Sequence, residues 1–492
     1  MATRSTGISG ELQESVRKLF GSTLEVLRRV RIETRNGRFE EKLLVLTAWR
    51  LCLLNVKIPA KIENTFNFLE IRNLTPVNPD QVVMETEKST YSVNFFSLED
   101  LDQVMSHINA SLSKIFPASP PSLSQRSTPE SPNCLKHSPT RQASKGCKQA
   151  CCGGFSETYA ALCDYNGVAC REEVQWDVDT IYHSQDTRHF NILDFSHLGS
   201  RDLALIVAAL AYNQWFTKLQ TRDLKLGSEV IEQVLHTVSR SRTIEELEME
   251  NTGLKVDFAL KLAAALAENP FPALTALNLA SNPLEDKGVY ALSQFLVSHH
   301  MGLKRLNLSR TSLTLKGLVP LAQMLNNGHN FTNTLTHLDL SRNPGMLAGD
   351  DAVNLYNFLA RQNVLVDLNL AGTDCAIDVL FGALLHGCCT HLSHLNLSNN
   401  NFSHKKAKET LPSFKTFFSC SFSLGHVNFS GTRVPAEALS ALFQGLSVNT
   451  HVTDLHLNLS GCELRANGAT VIRENIGAIG NITRLDISDN GK

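Results

Sequence analysis

The chain has 492 residues with 46 Lys/Arg against 48 Asp/Glu, a net charge of −2, and a hydrophobic content of 42% that is ordinary for a globular protein. This balance excludes a generally polyanion-binding protein, so no nucleic-acid partner is expected. No apolar run approaches the roughly 18 residues of a membrane span, and the opening MATRSTGISGELQESVRKLF has no apolar stretch of signal-peptide type, so a cytoplasmic chain with reduced cysteines is expected.

The charge is unevenly spread. Residues 17–61 carry eleven Lys/Arg against four Asp/Glu, and residues 62–117 carry three against eight. Residues 10–20 suit a short helix. Strand-type runs follow at EVLRRVRIET, EEKLLVLTAWRLCLLNV, IENTFNFLEIRNL, QVVMETEK and TYSVNFF. Arg35-Asn36-Gly37-Arg38 suits a hairpin turn, because Asn-Gly tolerates positive φ. From Leu98, the apolar residues Leu101, Val104, Met105, Ile108, Leu112 and Ile115 recur at helical steps until Pro117. Six or seven strands closed by one amphipathic helix give residues 1–117 an order that resembles the pleckstrin-homology arrangement, so a pleckstrin-homology-like domain is expected there. Arg28, Arg29 and Arg31 on one strand, with Arg35, Arg38 and Lys42 around its turn, could meet acidic membrane lipids. They could equally be a solvated face neutralised by the acidic half of the domain.

Residues 118–152 are rich in Ser and Pro and read as a disordered linker. Thr128-Pro129, Ser131-Pro132 and Ser138-Pro139 are candidates for proline-directed phosphorylation. Residues 153–215 read as an N-terminal cap and a first degenerate repeat. Phe155, Tyr159, Leu162 and Tyr165 suit a helix face, while Val174, Trp176, Val178 and Ile181 alternate as an extended segment would.

Residues 216–492 are a leucine-rich repeat array. The clearest copy, LSHLNLSNNNF, places Leu392, Leu395, Leu397, Asn400 and Phe402 in the pattern Leu-x-x-Leu-x-Leu-x-x-Asn-x-Phe. Its first apolar position recurs at Ile244, Leu274, Leu303, Leu335, Leu365, Leu424 and Ile482, and a shifted copy puts Asp454 there. Two weaker copies run through Phe190, Ile192 and Phe195, and through Phe216, Leu219 and Thr221, giving about eleven in all. The turn position alternates between threonine (Thr252, Thr311, Thr373, Thr432) and asparagine (Asn282, Asn343, Asn400, Asn490), with Cys462 once, which suggests paired repeats. A helix per repeat implies an α/β solenoid, a horseshoe like that of ribonuclease inhibitor. The final ITRLDISDN opens a repeat, so the array is expected to be truncated and the chain to be part of a longer protein.

The polar positions between ladder leucines are Glu248, Asn278, Asn307, Asp339, Asn369, Asn396, Asn428, Asn458 and Asp486, flanked by Arg305, His337, Asp367, His394, His426 and Arg484. They form a candidate protein-binding concave face. Strand alternation alone accounts for their polarity but not for the preference for asparagine. Phosphate-loop, dinucleotide and His-Glu-x-x-His motifs are missing from the sequence, so no enzyme and no cofactor is expected. The cysteines at 134, 147, 151, 152, 163 and 170 show no Cys-x-x-Cys pairing, so no metal is expected.

The run CGGFSETYAALCDYNG, then REEVQWDVDTIY and NQWFTKL leading into the repeats, with LVLTAWR, LEIR, METEK and KIFP before them, resembles the CARMIL family, N-terminal portion, in one of its vertebrate paralogues. The resemblance implies a membrane-associated actin scaffold with cytoskeletal partners, acting at the plasma membrane, the leading edge and in cell migration. It implies a homodimer in the full-length protein, and a C-terminal tail carrying the capping-protein motif, which these residues do not contain. A ribonuclease-inhibitor-like regulator without a membrane role is the alternative. A GTPase-activating protein of the repeat type fits less well, because the array is preceded by a separate domain.

Overall fold

The computed structural model describes residues 7–33, 37–116, 150–299, 301–328, 330–402 and 407–491. It divides into two compact units: residues up to 187 with 208–215, and residues 188–207 with 216 onward.

The first unit begins with helix α1 (Gly10–Phe20), capped by Ser9, whose hydroxyl accepts the Leu12 amide at 3.4 Å. Seven strands follow: β1 (Val26–Glu33), β2 (Phe39–Leu46), β3 (Arg50–Asn55), β4 (Ile62–Asn67), β5 (Ile71–Asn78), β6 (Gln81–Thr86) and β7 (Thr90–Phe95). They form one antiparallel sheet in the order β4-β3-β2-β1-β7-β6-β5. Helix α2 (Leu98–Ile115) closes it. The run LLVL in β2 is continuous because both faces are covered. Leu44 and Leu46 join Leu51 and Leu53 beneath Leu101, Val104, Ile108 and Leu112 of α2. Leu43 and Val45 join Cys52 and Leu54 against Leu12 and Val16 of α1. Each fully buried leucine contributes about 1.5–3 kcal/mol, so the period of two in β2 and β3 fixes the register of both helices.

Cys151–Gly154 form a 3-10 turn leading into α3 (Phe155–Tyr165). Cys152 is buried; its thiol donates to the Val178 carbonyl at 3.3 Å, and its carbonyl accepts from Asn213 Nδ2 at 2.9 Å. The last residues assigned to the linker are thus folded here, while residues 118–149, with the three Ser/Thr-Pro candidates, lie outside the described residues. The segment expected to be extended is helical: Glu172–Trp176 runs into a π turn, Asp177–Tyr182. Val174, Val178 and Tyr182 are buried at four-residue steps, whereas Trp176 and Ile181 are exposed. The apparent alternation of apolar residues came from counting these two solvent-facing side chains with the core. Arg50 joins the strands to α3: its Nε lies 3.0 Å from Asp164 Oδ2 and its terminal nitrogen donates to the Asp164 carbonyl at 2.7 Å. Buried Asn67 donates to the same carboxylate at 2.6 Å.

The second unit carries eleven parallel strands among the described residues: β8 (His189–Asn191), β9 (Lys218–Arg222), β10 (Glu246–Glu250), β11 (Ala276–Asn278), β12 (Arg305–Asn307), β13 (His337–Asp339), β14 (Asp367–Asn369), β15 (His394–Asn396), β16 (His426–Asn428), β17 (Leu455–Asn458) and β18 (Ile482–Asp486). They pair in sequence order. Helices such as Val256–Glu268 and Glu285–Val297 connect them, burying Phe258, Leu262 and Leu266 in the first and Val289, Leu292 and Leu296 in the second. The first apolar position of the shifted copy is filled by Leu455, which is fully buried, and not by Asp454, which is exposed. The register shifts between Leu455 and His456, so that Thr483 of β18 is the extra residue and Leu455 pairs with Ile482.

The alternation of threonine and asparagine at the turn has a hydrogen-bonding cause. Asn343 Oδ1 accepts the amides of Thr311 and Leu313 in the preceding repeat at 3.0 and 3.1 Å, and its Nδ2 donates to the Leu308 and Leu340 carbonyls at 2.9 Å each. Asn400 does the same for Thr373 and Cys375. One asparagine therefore serves two turns, and Thr252, Thr311 and Thr373 need only reach a carbonyl of their own repeat, as Thr311 reaches Leu308 at 2.8 Å, while Thr432 reaches back to the Leu397 carbonyl at 3.3 Å. Where Cys462 stands, its thiol donates to the Phe429 carbonyl at 3.1 Å.

Candidate functional site

The basic residues of β1 do not form one free patch. Arg28 pairs with Asp100 and bonds Gln103 of α2. Arg29 pairs with Glu41 and donates to the Gly7 carbonyl at 3.0 Å. Lys42 lies 2.6 Å from Glu63 and 2.9 Å from Glu40. Burial works against its ammonium, but its hydrogen bonds to Glu63 and Glu40 outweigh that and hold its pKa above the ordinary lysine value. Arg31 is exposed, 3.9 Å from Glu41, with its guanidinium 4.8 Å from the Phe96 ring centroid. Arg38 is exposed. Arg35 lies outside the described residues.

In the repeat unit the polar positions line up strand by strand, because the parallel pairing has no slip from β9 to β17. Asn278, Asn307, Asp339, Asn369, Asn396, Asn428, Asn458 and Asp486 form one row, continued by Glu248. Each of these except Glu248 accepts, through Oδ1, the backbone amide two residues later, at 2.8–3.2 Å. The preference for Asn and Asp is therefore a turn requirement: a short carbonyl side chain holds the strand's exit in an Asx turn. At Asp486 this amide, from Ser488, is also the main reason the carboxyl sits below the usual range.

A second row lies two residues earlier: Glu246, Ala276, Arg305, His337, Asp367, His394, His426, His456 and Arg484. The flanking set read from the sequence lacks Glu246 and His456, though each stands two before a ladder residue, Glu248 and Asn458. His394 and His426 stack with centroids 4.6 Å apart and planes 11° apart, and His456 meets His426 edge-on at 4.5 Å. Burial lowers the His426 pKa first, with His394, His456 and Arg484 adding to the effect and Asp454 opposing it. Glu246 bridges Arg305 at 2.6 Å, and Glu248 pairs with Lys218 at 2.8 Å. The rows thus present amides, imidazoles and a few charges to solvent. Among the described residues no group of three His, Cys, Asp or Glu side chains is arranged to hold a metal ion.

Residues 152–492 match a family described as "CARMIL family, LRR domain", and residues 24–117 match "Carmil pleckstrin homology domain". The chain is 53% identical to rat "Capping protein, Arp2/3 and myosin-I linker protein 3", over 100% of this chain and 36% of that protein. It is 42% identical to mouse linker protein 2 over the same shares. It is 28% identical to "Protein CARMIL" of Dictyostelium discoideum, over 93% of this chain and 42% of that protein. The chain therefore spans 36% of the length of its vertebrate relatives. With both domain types matched in order, the chain belongs to the CARMIL family and corresponds to the N-terminal part of a vertebrate paralogue.

Proposed function

We propose that this chain is the non-catalytic docking part of an actin-regulating scaffold. The repeat unit is a horseshoe that presents its strand face, on the concave side, to cytoskeletal protein partners, and the N-terminal domain contributes membrane contact. The names of the relatives connect them with capping protein, Arp2/3 and myosin-I, and we extend that cytoskeletal setting to this chain. Regulation of capping protein and full-length dimerisation are assigned to sequence beyond these 492 residues. The protein would work in the cytoplasm and be recruited to the plasma membrane at the leading edge of migrating cells.

The observation that carries the docking role is the pair of polar rows. They run without slip across successive strands, and only parts of them are tied up in ion pairs. Such extended strand faces are the surfaces repeat arrays use for binding. The membrane role rests on the exposure of Arg31 and Arg38, while Arg28, Arg29 and Lys42 pair with acidic neighbours within the domain. That internal pairing favours the second reading, a protein-docking regulator with no lipid role.

The test uses the complete chain in cosedimentation with vesicles of phosphatidylserine and phosphatidylcholine, alongside capture of purified myosin-I and Arp2/3 complex. Binding to acidic vesicles that Arg31→Glu with Arg38→Glu removes, and protein capture that His394→Glu with His426→Glu removes, support the scaffold. Capture without vesicle binding leaves the second reading, and failure of both overturns the proposal.

A further inference from the structure

The row of long side chains is interrupted at Ala276, which stands between Glu246 and Arg305 in register. From this position across the next strands the face holds a depression of 240 Å³, bounded by Glu248, Ala276, Arg305, His337, Asp339 and Asp367. Its charges are unevenly committed. Arg305 is held by Glu246 across the gap at 2.6 Å, and Glu248 by Lys218 at 2.8 Å. Asp339 takes the Ser341 amide on one oxygen and Asn369 Nδ2 on the other. Asp367 is different. Its side chain is half-buried, and among the described residues no hydrogen bond or ion pair reaches its carboxylate. Burial raises its pKa, with His394 and His337 opposing and Asp339 adding to the rise.

A half-buried carboxylate without a donor is costly to keep charged, and it stands beside a second carboxylate at the edge of an open depression. We infer that this depression is an anchor for a basic segment of a protein partner, taking one arginine side chain against Asp367 and Asp339. This deepens the docking reading above and rests on it. Arginine fits better than lysine. Its planar fork can donate to two carboxylates at once, and its face can lie on the His337 ring. An acidic segment would meet three carboxylates against a single guanidinium that Glu246 already holds.

The experiment measures fluorescence anisotropy of a labelled hexa-arginine peptide with the complete chain, and with a hexa-glutamate peptide as the opposite charge. Asp367→Asn should weaken hexa-arginine binding about tenfold or more. Asp339→Asn, which keeps an acceptor for the Ser341 amide and removes the second carboxylate, should weaken it too and carries the test if the first variant melts early. Glu229→Gln, an equal charge change on an exposed helix residue of the same unit, should leave binding as it was. Hexa-arginine binding that is absent, unmoved by both pocket variants, or reduced equally by Glu229→Gln overturns the anchor, as does preferential binding of hexa-glutamate. If His394→Glu with His426→Glu abolishes protein capture while the pocket variants change nothing, the docking reading stands and the arginine anchor alone fails.

Discussion

Asn282 holds Thr252 in place from the next repeat: its Oδ1 accepts the Thr252 amide at 3.1 Å, and its Nδ2 donates to the Met249 carbonyl on the same strand at 2.6 Å. Both side chains are fully buried. The same arrangement recurs at Asn343 over Thr311 and at Asn400 over Thr373, so asparagine and threonine at this position carry unequal loads.

The inequality predicts unequal losses. Asn343→Ala orphans the buried amides of Thr311 and Leu313 and the Leu340 carbonyl, while the Leu308 carbonyl keeps the Thr311 hydroxyl, at about 1–3 kcal/mol for each buried group left unsatisfied. Thr311→Val removes a single hydroxyl bond and should cost only about 1 kcal/mol. Hydrogen exchange of the Leu313 amide reads the difference locally, which suits an array whose unfolding need not be two-state. Equal loss of protection in the two variants would contradict the shared-asparagine arrangement.

The outward asparagines should behave differently. Asn396 serves the Ser398 amide at 3.1 Å, and aspartate already does that work at Asp339 and Asp486. Asn396→Asp should therefore leave stability within about 0.5 kcal/mol, while Asn396→Ala should cost about 1 kcal/mol through the lost acceptor. Exchange of the Ser398 amide is the measurement. If Asn396→Asp exposes that amide as much as Asn396→Ala, the side chain is not acting through its Oδ1.

The repeat architecture was legible because its signal is periodic: Leu392, Leu395 and Leu397 bury themselves at the spacing the strand and its turn require. The exceptions are places where period alone is ambiguous. Val174 and Val178 fit a helix and a strand equally until Trp176 is known to face solvent. Leu455 was hidden because it stands two residues before Leu457, one fewer than the Leu-x-x-Leu spacing, and a register shift against β18 takes up the difference. The fate of the basic strand was not legible either. Arg28 finds Asp100 and Lys42 finds Glu63 only when distant segments meet, and charge counting along the sequence cannot see such pairs. The asparagine ladder was visible as a pattern, but its cause, an amide two residues on, needed the geometry.

Asp164 is the acceptor for two residues of the strand domain, Arg50 and buried Asn67. Asp164→Ala should destabilise the first unit by about 1–3 kcal/mol, chiefly by leaving the Asn67 amide without its partner. Arg50→Lys keeps the charge but loses the fork that reaches both the carboxylate and the carbonyl of Asp164, so it should recover only part of the stability. Thermal melting of the complete chain, with hydrogen exchange across α3, would show this. Unchanged protection of α3 in Asp164→Ala would mean that apolar packing alone holds that helix.

The stacked imidazoles give the repeat unit a pH response of definite sign. His426 has its pKa lowered in the folded chain by burial, then by His394 and His456. The unfolded chain therefore binds the proton more readily, and stability is lost as pH falls below the ordinary imidazole value of about 6.5. Above that value the imidazole is neutral in both states and contributes no slope. Asp367 has the opposite sign: its raised carboxyl pKa makes acidification favour the folded state, but in the carboxylate range near pH 4 and upward toward its folded value. The two effects separate along a pH titration of the melting temperature. His426→Gln should flatten the fall that begins near pH 6.5 and leave the carboxylate region unchanged. A wild-type profile that is flat between about pH 7.5 and 5.5, or a fall that His426→Gln does not reduce, would show that the stack is not what sets this response.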